Sequence, residues 1–190
     1  MGTPDFAVES LRILVKKNYN IVGVITSLDK PAGRGKKIRS SAVKLFALEN
    51  ELNILQPPNL KNQGFLEGLK DLRADLQIVV AFRMLPEVVW NMPPLGTINL
   101  HASLLPQYRG AAPINWAIIN GEKYTGVCTF KLQHEIDTGE LLFIKKVKIH
   151  PSENAGQLHD KLMHKGAKLI LKTISAIRKD KYKLKPQKTD

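Results

Sequence analysis

Apolar positions along this 190-residue chain switch repeatedly between helical and extended spacing. Phe6, Ala7, Leu11, Leu14 and Val15 keep to one helix face, behind a start signal with Thr3 as cap and Pro4 as first helical residue. A strand is predicted over 21–26, a helix over 42–50, and a short extended piece over 53–56 ending at Pro57-Pro58. Leu60, Phe65, Leu66, Leu69 and Leu72 predict an amphipathic helix over 59–74. The continuous apolar run 76–82 fits a strand buried on both faces. There follow a short helix at 86–90, a strand at 97–102, a helix at 114–119 stopped by Asn120-Gly121, and strands at 124–132 and 141–149. Asn154, with Gln157 three residues on, caps a last helix whose apolar face is Leu158, Leu162, Leu169, Ile170, Thr173 and Ile177. Strands alternating with helices predict an α/β fold: a Rossmann-like, mainly parallel sheet with helices on both faces. Such sheets bind ligands beyond the carboxyl ends of their strands. The glycine-rich dinucleotide fingerprint is absent, so the shape does not imply NAD. Residues 179–190 hold five lysines, one proline and few apolar groups, and are expected to be a linker.

The chemistry concentrates in the stretch 98–113, INLHASLLPQYRGAAP. Asn99 and His101 are two apart, so a strand over 98–102 puts both side chains on one face. An amide beside an imidazole suits a carbonyl substrate: the amide donates to a developing oxyanion, and the ring donates or shuttles a proton. The same pair also fits a hydrogen-bonded structural contact. The strand breaks into Ser103-Leu104-Leu105-Pro106 and a loop carrying Arg109, which either reaches a substrate anion or ties the loop down. A second acid follows at Asp137, where the Asp-Thr-Gly pattern alone favours an ordinary turn. His150, His159 and His164 show no metal-ligand spacing with acids or Cys128, and no metal is expected. His134 is read as a surface residue, and Met84, Trp90 and Trp116 as core.

Composition narrows the classes. Hydrophobic residues make up 43%, enough for a globular domain, and no window approaches the ~18–20 apolar residues of a membrane span. No basic region followed by an apolar stretch marks the amino terminus as a secretory signal. Cys128, the sole cysteine, allows no internal disulfide, fits a cytoplasmic setting and reads as an inert core residue. The net charge of +12 attracts polyanions, RNA foremost, although a solvated lysine-rich surface would give the same number. Lys30, Arg34, Lys36, Lys37 and Arg39 crowd one segment whose two glycines and proline are expected to prevent regular structure; such a loop suits phosphate contacts. Its Gly-Arg-Gly is no nucleotide-binding fingerprint, so an ATP site is rejected.

The order Met1-Gly2-Thr3-Pro4-Asp5-Phe6-Ala7, Asp29-Lys30-Pro31-Ala32-Gly33-Arg34-Gly35-Lys36-Lys37, Val79-Val80-Ala81-Phe82, Asn99-Leu100-His101-Ala102-Ser103-Leu104-Leu105-Pro106 and Asp137-Thr138-Gly139-Glu140 resembles the folate-dependent formyltransferases over nearly the whole chain. The nearest likeness is to members that formylate initiator methionyl-tRNA. The resemblance implies 10-formyltetrahydrofolate as donor, with Asn99 and His101 donating to the oxyanion and Asp137 polarising His101 or relaying protons through water. It implies folate contacts along Ser103, Leu104, Leu105 and Pro106, and a pterin pocket walled by Phe82, Arg83, Met84, Leu85 and Ile136. The family usually has Tyr-Gly where this chain has Phe82-Arg83-Met84. The basic segment corresponds to the one that enters the tRNA acceptor arm. The pattern places a strand before Gly2-Thr3-Pro4, and none is present here, so a sheet without its first strand is expected. Residues 1–178 then form the catalytic domain, and 179–190 lead toward an absent carboxy-terminal β-barrel. A monomer without membrane attachment is expected. Formylation of a sugar-nucleotide amine or glycinamide ribonucleotide, a non-catalytic RNA-binding fragment, and a formate-releasing hydrolase are the competing expectations.

Overall fold

The computed structural model describes residues 1–32 and 37–188; the side chains of residues 32 and 37 lie outside that description. Helix α1 (Asp5–Lys16) opens at Pro4, whose extended φ/ψ makes it the cap position, so Thr3 is not the cap. Strand β1 (Val24–Ile25) is a short piece of the expected 21–26 and pairs in parallel with β4 (Ile54–Leu55). Between them lie β2 (Lys30–Ala32), β3 (Lys37–Arg39) and α2 (Ala42–Glu49), the last capped by the Ser41 hydroxyl. The basic segment is therefore extended and paired over Lys30–Ala32 and Lys37–Arg39, where irregular structure was expected; Arg34 and Lys36 lie outside the described residues. β2 and β3 pair antiparallel, with Lys30 opposite Arg39, because Pro31 sits on a two-stranded ribbon with a free edge, where it is tolerated.

Helix α3 (Gln63–Asp71) starts on the Asn62 side chain, followed by β5 (Gln77–Val80), α4 (Glu87–Trp90), β6 (Thr97–His101), α5 (Pro113–Ile119), β7 (Tyr124–Lys131), β8 (Leu141–Lys148) and α6 (Ala155–Arg178). The main sheet runs β5-β6-β7-β8. β5 and β6 are parallel, joined by a crossover through α4, while β6-β7 and β7-β8 are antiparallel, so the sheet is mixed. Met1 and Gly2 connect it to β1: the Met1 ammonium donates to Ile78 O at 2.6 Å, Val80 N–H to Met1 O, and Gly2 N–H to Ile25 O.

Alternation along β5 and β6 sorts the core into two layers. Val80 and Leu100 face α1 and α6, whose Leu158, Leu162 and Ile170 are fully buried there. Val79 faces the opposite layer with Phe65, Leu69 and Val89. α6 carries the predicted apolar stripe and a full capping box at Asn154 and Gln157. It seats so close to β6 that a Cβ on Gly166 would lie 2.7 Å from Leu100 Cδ2. In the same layer the Thr173 hydroxyl donates to Leu169 O and accepts from the Thr129 hydroxyl at 2.9 Å. The segment after α6, expected to be a free linker, lies against β8: Leu141 and Lys185 exchange both backbone hydrogen bonds, and Tyr182 and Leu184 pack with Ile98, Leu142 and Ile177.

Cys128 on β7 is fully buried, and burial pushes its thiol up to about 12. Since the thiolate is the reactive form, a thiol-specific reagent at mildly alkaline pH is expected to leave the native chain unmodified and to label it after addition of concentrated guanidinium. Prompt labelling of the native chain would show that β7 opens.

Candidate active site

Antiparallel register sets Asn99 opposite Phe130 and His101 opposite Cys128. With Leu100 committed to α6, the two polar side chains must share the other face, as period two requires. The expected same-face pair is present. His101 is 8% exposed. Its Nε2–H donates to the Tyr108 carbonyl at 2.8 Å, and since a carbonyl can only accept, Nδ1 is the ring atom turned toward Asp137 Oδ2 at 3.5 Å. Tyr108 is held in turn by its hydroxyl, which donates to Glu122 and accepts from Asn120; the bond to Glu122 raises the phenol above its ordinary value.

Asp137 arrives from the β7–β8 connection. That connection leaves β7 beside Thr97, where Leu132 N–H meets Thr97 O, and folds back across Asn99. Asp137 adopts φ +52, a left-handed conformation that Asp tolerates better than most residues. Its Oδ2 accepts the Gly110 N–H at 2.8 Å, and its Oδ1 lies 3.5 Å from Asn99 Nδ2. The carboxylate thus has one short backbone donor and two longer approaches, a spacing that leaves room to tighten around a bound reactant.

These three side chains border a cleft of about 810 Å³. Of the residues expected to wall a pterin pocket, Phe82, Arg83, Met84, Leu85 and Ile136 all line it. Arg83 is committed elsewhere: its guanidinium donates to the carbonyls of Pro57 and Pro58. Met84, expected in the core, is 68% exposed at the cleft, and Trp116, also expected in the core, is 50% exposed on α5. Their helical or loop positions face no second layer. Ser103, Leu104, Leu105 and Pro106, expected along the folate, do not line the cleft. Ser103 and Leu105 are buried, the Ser103 hydroxyl donates to Gln107 O, and Leu104 lies against Gly126. Leu105 packs with Cys128, Phe130 and Leu141 under β7, so any contact of this loop with a ligand falls to its backbone. His134 is exposed, as expected, but at the cleft rim, and His159, which the pattern did not single out, lines the wall edge-on to Phe6.

Of the cationic set, Lys30 and Arg39 are exposed as cross-strand partners on the β2–β3 ribbon. The ribbon's base is tied by Asp29, held below the usual carboxylate range by hydrogen bonds from Lys44 and Gln56. Lys37 sits in β3 with its side chain undescribed, and Arg34 and Lys36 lie outside the described residues. Arg109, expected either to reach a substrate anion or to tie the loop, donates from Nε and Nη2 to Gln187 Oε1. Sequence reasoning missed the Tyr108 carbonyl, the Gly110 N–H and Gln187. The first two are backbone groups with no side-chain signal, and the third is distant in the chain. Among the described residues no cluster of three or more potential metal ligands occurs, and no helix is long and apolar enough to cross a membrane.

A family model described as Formyl transferase matches residues 1–174. A methionyl-tRNA formyltransferase from Bacteroides fragilis is 62% identical over 187 residues, covering 98% of this chain and 58% of the relative. One from Flavobacterium johnsoniae is 63% identical over 177 residues, covering 93% and 56%. The chain therefore spans somewhat more than half the length of these relatives. Among solved structures, a phosphoribosylglycinamide formyltransferase from Anaplasma phagocytophilum superposes with a TM-score of 0.77 at 20% identity, covering all of this chain and 92% of its own. An N-formyltransferase from Helicobacter canadensis, in complex with folinic acid and dTDP-3-aminofucose, gives 0.75 at 23% identity, covering 99% and 66%. At these identities the two show a shared fold.

The return of the Asp137 loop depends on Gly139, where an added Cβ would sit 1.7 Å from Lys131 O. Gly139→Ala is expected to cost on the order of 1–3 kcal/mol by overpacking. A lower denaturant midpoint at unchanged slope would register it; an unchanged midpoint would mean the loop has slack.

Proposed function

The chain belongs to the formyl transferase family, and on that premise we propose that it moves a formyl group from 10-formyltetrahydrofolate to the amino group of initiator methionyl-tRNA, in the cytoplasm and as a monomer. The donor supplies the formyl carbon, whose oxygen gathers negative charge as the amine adds. The observation that carries this reading is the convergence of Asn99, His101 and Asp137 on one edge of an open cleft. The cleft wall fits the donor: Val79, Phe82, Leu85 and Ile136 offer apolar surface to a flat ring, while polar groups collect at one side.

Each residue has a job that its position supports. Asn99 Nδ2 donates to the charged oxygen. His101 donates to the same oxygen, and Asp137, its Oδ2 3.5 Å from His101 Nδ1, polarises the ring and relays the proton that the amine must lose to the departing nitrogen of the donor. The Tyr108 carbonyl and the Gly110 N–H keep ring and carboxylate oriented throughout. Residues 1–178 are the proposed catalytic unit and 179–190 the segment leaving it. The +12 charge and the Lys30–Arg39 pair favour a polyanionic acceptor over a small amine. Lys30, Arg34, Lys36, Lys37 and Arg39 are the proposed tRNA contacts.

The decisive assay supplies formyl-tetrahydrofolate and follows formyl transfer to methionyl-tRNA, to a sugar-nucleotide amine and to water. Transfer to the tRNA alone supports the reading; preference for the small amine, or formate release without an amine, replaces it. Asn99→Ala is expected to lower kcat by roughly 10²–10³, the usual loss of one oxyanion donor, and Asp137→Asn should largely stop turnover in a chain that still unfolds cooperatively. Near-normal turnover of the Asp137 variant would remove the assignment. Separately, Lys30→Ala and Arg39→Ala should each flatten the dependence of log affinity for tRNA on log salt by about 1, as a binding titration across salt concentrations would measure; an unchanged slope in both would place the contacts elsewhere.

A further inference from the structure

Beyond the three groups at the cleft, one amide bridges the two loops that carry them. After α6 the chain turns back along β8, is fixed to it by the Leu141–Lys185 pair, and reaches Gln187 two residues later. There the Gln187 Nε2 donates both hydrogens into the Asp137 loop, to Asp137 O at 2.7 Å and Gly139 O at 2.9 Å. Its Oε1 accepts from Arg109 Nε at 3.0 Å and Nη2 at 2.7 Å, on the loop that follows His101. All four contacts obey polarity, and only one orientation of the amide allows this. Flipped, it would oppose carbonyl to carbonyl and NH2 to guanidinium.

We propose that Gln187 is a positioning residue that locks the Asp137 loop to the His101 loop and thereby sets how Asp137 meets His101 and Asn99. The inference rests on the catalytic reading given to those three residues. It adds a residue that lies past the family-matching stretch 1–174. The grip falls where the backbone most needs one. Asp137 is left-handed at φ +52, and Tyr108, just before Arg109, is left-handed at φ +58. Non-glycine residues hold such conformations when their surroundings over-determine them. Gln187 takes the carbonyl of the first and, through Arg109, the neighbour of the second. The Gly110 N–H, one residue beyond Arg109, then reaches Asp137 Oδ2. Among the described residues, that bond is the other hydrogen bond joining the two loops.

Two variants separate the contacts. Gln187→Met keeps the length and removes all four hydrogen bonds. Gln187→Glu keeps an acceptor for Arg109 and loses both donors to the Asp137 loop. Amide hydrogen exchange at Gly110 reads the clamp without reference to activity. It is expected to quicken in both variants while the amides of Leu100 and Thr129 in the sheet keep their wild-type rates. In the formyl-transfer assay, kcat is expected to fall roughly 10- to 100-fold with little change in KM, the cost of about an ångström of misplacement. For Gln187→Glu alone, the ratio of its kcat to wild type should climb as pH falls into the carboxylic acid range, where the protonated acid regains one donor; the Met variant's ratio should stay flat. Unchanged Gly110 exchange, or faster exchange spread equally through the sheet, overturns the proposal. If the wild-type chain transfers no formyl group at all, the functional reading fails by itself, and Gly110 exchange still decides the clamp.

Discussion

The commitment of Leu100 to the α6 layer is the constraint on which the site depends. β6 is hydrogen-bonded on both edges, to β5 and β7, so it cannot slip or rotate without breaking two ladders. Gly166 brings α6 onto Leu100, and Thr129 on the adjacent strand is joined to Thr173 of the same helix. A one-residue slip would turn Asn99 and His101 into that apolar layer and leave their polar atoms without partners. Burying one leucine therefore fixes the direction of both polar groups, with no interaction between them needed.

The carboxylate is placed by different means. It comes from a connection between antiparallel strands, has no ladder to hold it, and stands in a left-handed conformation. Ala112, the cap residue of α5, is left-handed too, at φ +55, although alanine has no side-chain hydrogen bond to offset the strain. Each such residue costs of order 1–3 kcal/mol unless its surroundings enforce it. The structure answers with backbone-directed hydrogen bonds: Gly110 N–H to the Asp137 carboxylate, Tyr108 O to the ring, Gln187 to the loop carbonyls. A rigid strand supplies Asn99 and His101 and braced loops supply Asp137, so one edge of the cleft is fixed and the other is adjustable.

That division explains what could be read from the chain. Asn99 and His101 on one face, the apolar stripe of α6 and the cap at Asn154 follow from period and local chemistry, and all are present. Asp137 carried only a turn signal, and its place beside His101 was expected from family resemblance. Ser103 to Pro106 were expected along a ligand through their backbone, and the burial of Leu105 with Phe130 and Leu141 beneath β7 is a packing role the pattern did not show. Met84 and Trp116 misled in the opposite direction: large apolar side chains were assigned to the core, and the cleft and the outer face of α5 expose them. Pro31 and its neighbouring glycines suggested a structureless segment, yet a two-stranded ribbon accommodates proline on its free edge. Gln187 left no local trace, since its partners stand 48, 50 and 78 positions away and a lysine-rich stretch looks solvated.

Charge and chemistry are handled by separate parts, and they respond to different variables. Lys30 and Arg39 lie opposite each other on an exposed ribbon, a like-charge pair that a sheet ordinarily avoids. An anion bridging them would relieve that repulsion. Attraction of this kind acts across solvent and is screened within about 10 Å at moderate salt. The Asp137 carboxylate is partly buried, with one short bond to the Gly110 N–H and two approaches at 3.5 Å, so salt has less purchase on it than on the ribbon. Raising ionic strength should therefore weaken anion binding at the ribbon long before it disturbs the contacts around Asp137. A protein built this way can gain or lose surface cations without retuning the groups at its cleft.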